Sequence, residues 1–331
     1  MATKTNNPPK KSTGKKVGIA FTIMSIVAVF VLIAIVISVV IGIFVIMPKI
    51  KYDKAIDMMN SGNIVGAYEI FEELDDYKDS NTKKLECKYI QAHDAFDRED
   101  YKTAHEIFSE IKHFSNSGKM AEASLFMVHT TTLSKAEIGD TVQFGAYEQD
   151  ADTSNGKETI DWIVLDIQDN RALLVSVDAL DCKPYNNDRI DITWANSSIR
   201  NWLNDDFYKS AFTADYQDLI LPTNLTTPDN PLHDSEGGTN TTDKVFLLSY
   251  GEAESYFASN NTRKVSPTKY ARANGVETMY ETSCWWWLRT PGIYNVDVCG
   301  VHYDGAMDDL GCYVDNTQAG VRPAIWVTIP K

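Results

Sequence analysis

Three textures of apolar and polar positions follow one another along the chain. The first is an uncharged run of 31 residues, 17–47. As a helix, at about 1.5 Å per residue, it would reach roughly 46 Å, more than the ~30 Å of hydrocarbon in a bilayer. It therefore predicts one membrane span. Its centre, residues 31–40, has no Gly, Pro or polar side chain except Ser38, which fits an anchor rather than a transport pathway. The second texture has apolar positions three and four apart. Tyr52, Ala55, Ile56 and Met59 predict one helix, and Ile64, Ala67, Ile70, Phe71 and Leu74 a second. Sliding residues 52–80 by 37 positions gives nine identities, Tyr52/Tyr89, Ala55/Ala92, Asp57/Asp94, Ala67/Ala104, Glu69/Glu106, Ile70/Ile107, Phe71/Phe108, Glu73/Glu110 and Ser80/Ser117. A duplicated helical hairpin follows, closed by a capping helix over residues 119–128.

The third texture begins after the polar stretch 130–136. Residues 162–167 and 171–177 read as a β-hairpin turning through Gln168, Asp169 and Asn170. Residues 197–203, 251–258 and 267–274 read as helices, with a strand at 245–248. The end returns to strands at 296–303, 311–314 and 321–329, with a turn at Asp304-Gly305. Strands at both ends of a helical middle make this domain α+β. The expected organisation is a basic tail (1–16), a transmembrane signal anchor (17–47), helical repeats (49–129) and an α+β domain (138–331).

Charge then sets the orientation. Lys4, Lys10, Lys11, Lys15 and Lys16 precede the apolar run, whereas Lys49, Lys51 and Lys54 follow it mixed with Asp53 and Asp57. The excess of positive charge places the amino terminus in the cytoplasm and the rest outside the cell. Met47-Pro48-Lys49 lacks the small residues of a signal-peptidase site, so the anchor is expected to stay uncleaved. Beyond residue 48 the chain carries 46 acids against 26 bases, which argues against nucleic acid as a partner. Membrane lipid, through the one helix, is the partner that follows directly.

Six ordered motifs are specific. They are Gly139-Asp-Thr-Val-Gln-Phe-Gly145 with Ile160-Asp-Trp-Ile-Val-Leu-Asp166; Trp194 with Ser198-Ile-Arg-Asn-Trp-Leu-Asn204; Asp243-Lys-Val-Phe-Leu-Leu-Ser249; Cys284-Trp-Trp-Trp-Leu-Arg-Thr-Pro-Gly292; and Gly320-Val-Arg-Pro-Ala-Ile-Trp326. In that order they resemble the bacterial domain of unknown function 6273, common in clostridial surface proteins behind one membrane helix or helical repeats. The Trp-rich and Gly-Val-Arg-Pro strands in turn resemble the C-type-lectin-like fold of formylglycine-generating enzymes and of variable ligand-binding proteins. The helical region resembles tetratricopeptide repeats, whose usual period is shorter, at about 34.

Candidate chemistry is sparse. On a strand, Trp286 points opposite to Trp285 and Trp287, so at least one face carries groove-lining indole unless both faces are covered. Flat indoles stack on sugar rings and aromatic side chains; the competing reading is a two-sided core strand. Arg289 and Arg322 are either ligand contacts or buried clamps on carbonyls. Asp150, Asp152 and Ser154 alternate oxygens as the start of a calcium loop does, but the glycine comes one position late and Asp161 replaces the closing glutamate, so an acid-rich hairpin loop competes. If strands 296–303 and 311–314 pair symmetrically, with Tyr303 opposite Asp308, then Cys299 faces Cys312. Cα atoms about 4.5 Å apart there would allow a disulfide, with paired free thiols as the alternative. Hydrolase, phosphate-loop, His-Glu-x-x-His and Cys-x-x-Cys motifs are missing, and the six histidines lack one-turn spacing. Non-catalytic recognition of a cell-wall, glycan or surface-protein ligand is the expected work, without a required cofactor. A helical scaffold for a protein partner and an oxidase of the formylglycine-generating type are the alternatives.

Overall fold

The computed structural model describes residues 14–279 and 282–330. It forms two compact units, Met1–Ala121 and Glu122–Lys331. In the first, α1 (Gly14–Ile41) continues through a π-helical turn, Gly42–Ile46, into α2 (Met47–Asn60). The widened turn has a cause in Pro48, which has no N–H and whose ring crowds the carbonyl four residues back, at Phe44. Residues 24–60 make a helix that is long and apolar enough, by length and composition, to cross a membrane. Its large apolar side chains are exposed over residues 24–47, with Phe30 67% and Phe44 71% exposed, whereas Ala55 near its end is buried.

The helices α3 (Ile64–Leu74), α4 (Ser80–Asp97) and α5 (Tyr101–Glu110) complete the duplicated hairpins, and the 37-residue period holds down to single contacts. Asn63 accepts the Gly66 N–H at 3.1 Å, and Asp100, one period later, accepts that of Thr103 at 3.3 Å. Tyr52 donates to Asp79 and Tyr89 donates to Asn116, both at 2.5 Å. Lys51 pairs with Glu73, and Lys88 with Glu110. Fully buried Ala55, Ala67, Ala92 and Ala104 let the paired helices close on Phe71 and Phe108. Cys87 is buried in the core of the first hairpin.

The second unit starts within α6 (Ser117–Leu133). This helix runs past the expected capping segment because Thr130 and Thr132 turn their hydroxyls back onto the Phe126 and Val128 carbonyls, so the polar run is satisfied inside the helix. His129 meets the Tyr216 hydroxyl at 2.7 Å, and Leu133 enters the core. Beyond two short ribbons, Thr223–Leu225 with Thr241–Asp243 and Thr278–Met279 with Ser283–Cys284, the strands are β1 (Thr141–Tyr147), β2 (Glu158–Gln168), β3 (Arg171–Ser176), β4 (Asp181–Cys182), β5 (Trp286–Pro291), β6 (Asp297–Val301), β7 (Met307–Tyr313), β8 (Gly320–Val321) and β9 (Ala324–Thr328). They form two sheets, in the orders β1-β2-β3-β9 and β7-β6-β5-β8-β4. All pairs are antiparallel except β8 with β5. The chain passes from one sheet to the other at Arg322-Pro323, where proline lacks the N–H to continue a ladder. The architecture is α+β, a helical amino-terminal region followed by a sheet-rich domain.

Two expectations need correction. Residues 245–248 do not form a strand, although all four are buried; Phe246 makes only an isolated bridge to Ala324. Side chains take the place of a ladder, since Asn204 donates to the Val245 carbonyl at 2.8 Å and Arg289 to that of Leu247 at 2.9 Å. Between β6 and β7 the register is shifted by a bulge, so that Val298 pairs with Cys312 and Gly300 with Asp308. Cys299 is therefore not opposite Cys312. All five cysteines, each among the described residues, are free thiols.

Candidate functional site

The aromatic strand divides its tryptophans unequally. Trp286 and Trp287 are fully buried, each with its indole N–H satisfied: Trp286 donates to the Arg263 carbonyl at 3.1 Å and Trp287 to that of Lys183 at 2.9 Å. Both faces of β5 are covered, so for these two residues the core reading holds. Trp285 precedes the strand and is half-buried. Its ring meets Trp287 edge-on at 4.4 Å and lies across β6, where a Cβ at Gly300 would come within 2.2 Å of it. A bare backbone at position 300 is what gives the indole its seat.

Both arginines are clamps. Arg289 sits 2% exposed and donates to both Glu252 oxygens, at 2.5 and 2.8 Å, and to the carbonyls of Leu247 and Thr226 at 2.9 and 3.0 Å. Burial pushes the Glu252 carboxyl up, yet the Arg289 hydrogen bonds and charge outweigh it and hold the group below its ordinary value. Arg322 lies 4.9 Å from the ring centres of Phe257 and Trp286 and donates to the Ser176 carbonyl at 2.9 Å; burial brings its guanidinium down to about 10. Other motif residues do similar structural work. Asp243 accepts from Trp194 and Arg200, both at 2.8 Å, and Asn204 ties that helix to residue 245.

Beside Trp285 a cavity of about 380 Å³ is open to a ligand, lined also by Thr278, His302, Tyr303, Asp308 and Cys312. Its floor is the half-buried indole, and one wall is polar. His302 Nε2 stands 3.4 Å from Asp308, whose other oxygen accepts the Gly311 N–H at 3.0 Å. Gly311, at φ +81°, lies in the bulge between Asp308 and Cys312, both of which line the cavity. Burial pushes the Cys312 thiol up, the opposite of an activated nucleophile. The other thiols of this unit are also pushed up by burial, Cys182 to about 11 and Cys284 and Cys299 to about 12.

Residues 169–329 match the family profile described as Domain of unknown function (DUF6273). No curated protein and no solved structure matches the chain. The DUF6273 match contains the Trp285 cavity and both clamps, but it begins at the β2–β3 turn, leaving β1 and β2 outside although they complete the first sheet.

The expected calcium oxygens of Asp150, Asp152 and Ser154 are engaged in hydrogen bonds within their own loop. Asp150 accepts the Asp152 N–H at 2.8 Å, and Asp152 accepts from the Ser154 N–H and hydroxyl at 3.1 and 2.6 Å, so Asp152 and Ser154 close turns on their own loop. His302, Tyr303 and Thr278 escaped the sequence reading as cavity residues. The available signal was Gly311 just before Cys312, which marks the bulge that brings β7 residues beside Trp285.

Proposed function

We propose that the chain is a single-pass membrane protein whose carboxy-terminal domain recognises a ligand outside the cell, without catalysis, through the cavity beside Trp285. The observation that carries this reading is that, of the three consecutive indoles, Trp285 alone lies open to a cavity while its neighbours are consumed by the core. An indole floor with a carboxylate and an imidazole on the wall suits a ring bearing hydroxyl or amino groups, such as a wall sugar. An aromatic or basic side chain of a surface protein is the second ligand class that this lining suits. Two sheets, antiparallel but for the β8–β5 pair, that meet at the Gly-Val-Arg-Pro segment support a C-type-lectin-like assignment, and the paired hairpins support a tetratricopeptide-like one.

The test is binding of soluble wall fragments and glycans to the full-length protein in detergent, compared with Trp285→Ala. Loss of one stacking surface should weaken binding at least about tenfold, since 1.4 kcal/mol is a factor of ten. Near-ultraviolet circular dichroism should keep the signal of the buried tryptophans. Unchanged affinity in a folded Trp285→Ala protein would refute the cavity as the recognition site.

A further inference from the structure

Where β1 ends and β2 begins, Glu148, Asp150 and Glu158 each bring a carboxylate oxygen within 4.8 Å of the others. The ladder creates this meeting: Tyr147 pairs with Glu158, so the next residue, Glu148, lies beside the start of β2, and the loop between the strands carries Asp150 back over both. Three acids at such distances repel one another unless positive charge or donors compensate. Two are compensated in part. Glu158 Oε2 accepts the N–H groups of Gln149 at 2.7 Å and Asp150 at 3.2 Å, and Asp150 accepts from Asp152 and from the Asn155 amide.

Glu148 is different. It is 8% exposed, and its Oε1 is buried with no hydrogen-bond partner among the described residues. A carboxylate oxygen taken from water without a replacement partner is rare in folded proteins and asks for an explanation such as an ion. Burial first, and then the Glu158 charge, pushes the Glu148 carboxyl above its ordinary value. The positive group felt at this cluster is Lys269, an exposed side chain that acts on Asp150.

We propose that Glu148, Asp150 and Glu158 hold one divalent cation, calcium in preference to magnesium, and that the ion fastens the β1–β2 hairpin. Carboxylates from a strand end, a strand start and an irregular loop do not impose an octahedron, which suits the larger, more adaptable ion. The two glutamates were not part of the oxygen pattern visible in the sequence; the antiparallel register brings them to Asp150. The site is separate from the Trp285 cavity and does not depend on its function.

The test uses the full-length protein in detergent, stripped with a chelator and then given calcium alone. Equilibrium dialysis with radioactive calcium should find one ion per chain, with affinity in the range of extracellular modules, about 0.1–1 mM. At roughly ten times Kd the folded state gains about elevenfold over the unfolded one, a rise in Tm of roughly 3–6 °C. Glu148→Gln should abolish both the bound ion and the Tm response, while raising the metal-free Tm because a repulsive charge is gone. No binding up to about 10 mM calcium, or an unchanged response in Glu148→Gln, would overturn the site. A larger response to magnesium would overturn the choice of ion. If Glu148→Gln does not fold, Asp150→Asn decides by the same two readings.

Discussion

Arg289 has four carbonyl or carboxylate oxygens within reach and almost no exposure, so its charge is spent inside the protein. Removing it leaves Glu252 charged against the core. Breaking a buried ion pair destabilises by about 3–5 kcal/mol, and because the Glu252 side chain is about one-third exposed, Arg289→Met should fall lower, at about 2–3 kcal/mol in urea unfolding. The same pair predicts a pH dependence. Glu252 is held below its ordinary 4.5, so its share of stability is complete above that value and is lost as pH falls through the lower folded value. Glu252→Gln should therefore flatten the acid limb of stability below about pH 4.5. If the variant keeps the full acid limb, other carboxyls govern it. The sequence marked Arg289, Arg322 and the three tryptophans as important but not in what way. Residue type and motif are shared by clamps and contacts; only burial separates Trp285 from Trp286 and Trp287, and burial depends on the strands packed to either side.

At the level of elements, legibility followed locality. The hairpin repeat was readable because each copy makes its contacts within about one period, so the tyrosines, alanines and phenylalanines that pack together also recur together. The caps were less visible, since Asn63 and Asp100 differ in type while doing the same work. Each accepts an N–H three residues on, and Asn63→Ala and Asp100→Ala should each cost about 1 kcal/mol, measured by thermal unfolding. Asn63→Asp should be neutral or slightly stabilising, because a charge at a helix start is favoured. A loss in that variant as large as with Ala would mean that the Asn63 amide, and not its oxygen, matters. Sheet register was harder to read. The β6–β7 pairing looked symmetric about Asp304-Gly305, but at Gly311 a Cβ would come within 2.5 Å of the Val298 carbonyl, and the chain bulges there instead. The strands start pairing at Val301–Met307 rather than Tyr303–Asp308, and the bulge sets residues 309–311 against Cys299 alone, so Cys312 falls opposite Val298 and the expected facing of the two cysteines is lost. Residues 245–248 failed for a related reason: their carbonyls are claimed by Asn204 and Arg289, which lie 41 and 42 positions away in the chain.

For the whole molecule, the division of labour is written in coarse features that need no register. The helix over residues 24–60 is long and apolar enough, by length and composition, to cross a membrane, and its large apolar side chains up to Met47 are exposed, as the proposed anchor requires. The proposed orientation rests on the five lysines before the run and on the aspartates mixed into the three that follow. Anionic lipids and the membrane potential both hold such a tail on the cytoplasmic face, whereas a long acidic domain crosses largely regardless of its charge. Protease added to intact cells should therefore digest residues 138–331 and leave a short membrane-embedded fragment that keeps an amino-terminal tag. Moving the lysines should matter more than deleting the domain: replacing Lys10, Lys11, Lys15 and Lys16 by Gln leaves the balance to Lys49, Lys51 and Lys54, and a fraction of the chains should invert, with the tag exposed and the carboxy-terminal domain protected. Complete protection of residues 138–331 in the unaltered protein would reverse the topology, and the ligand would then have to be sought in the cytoplasm.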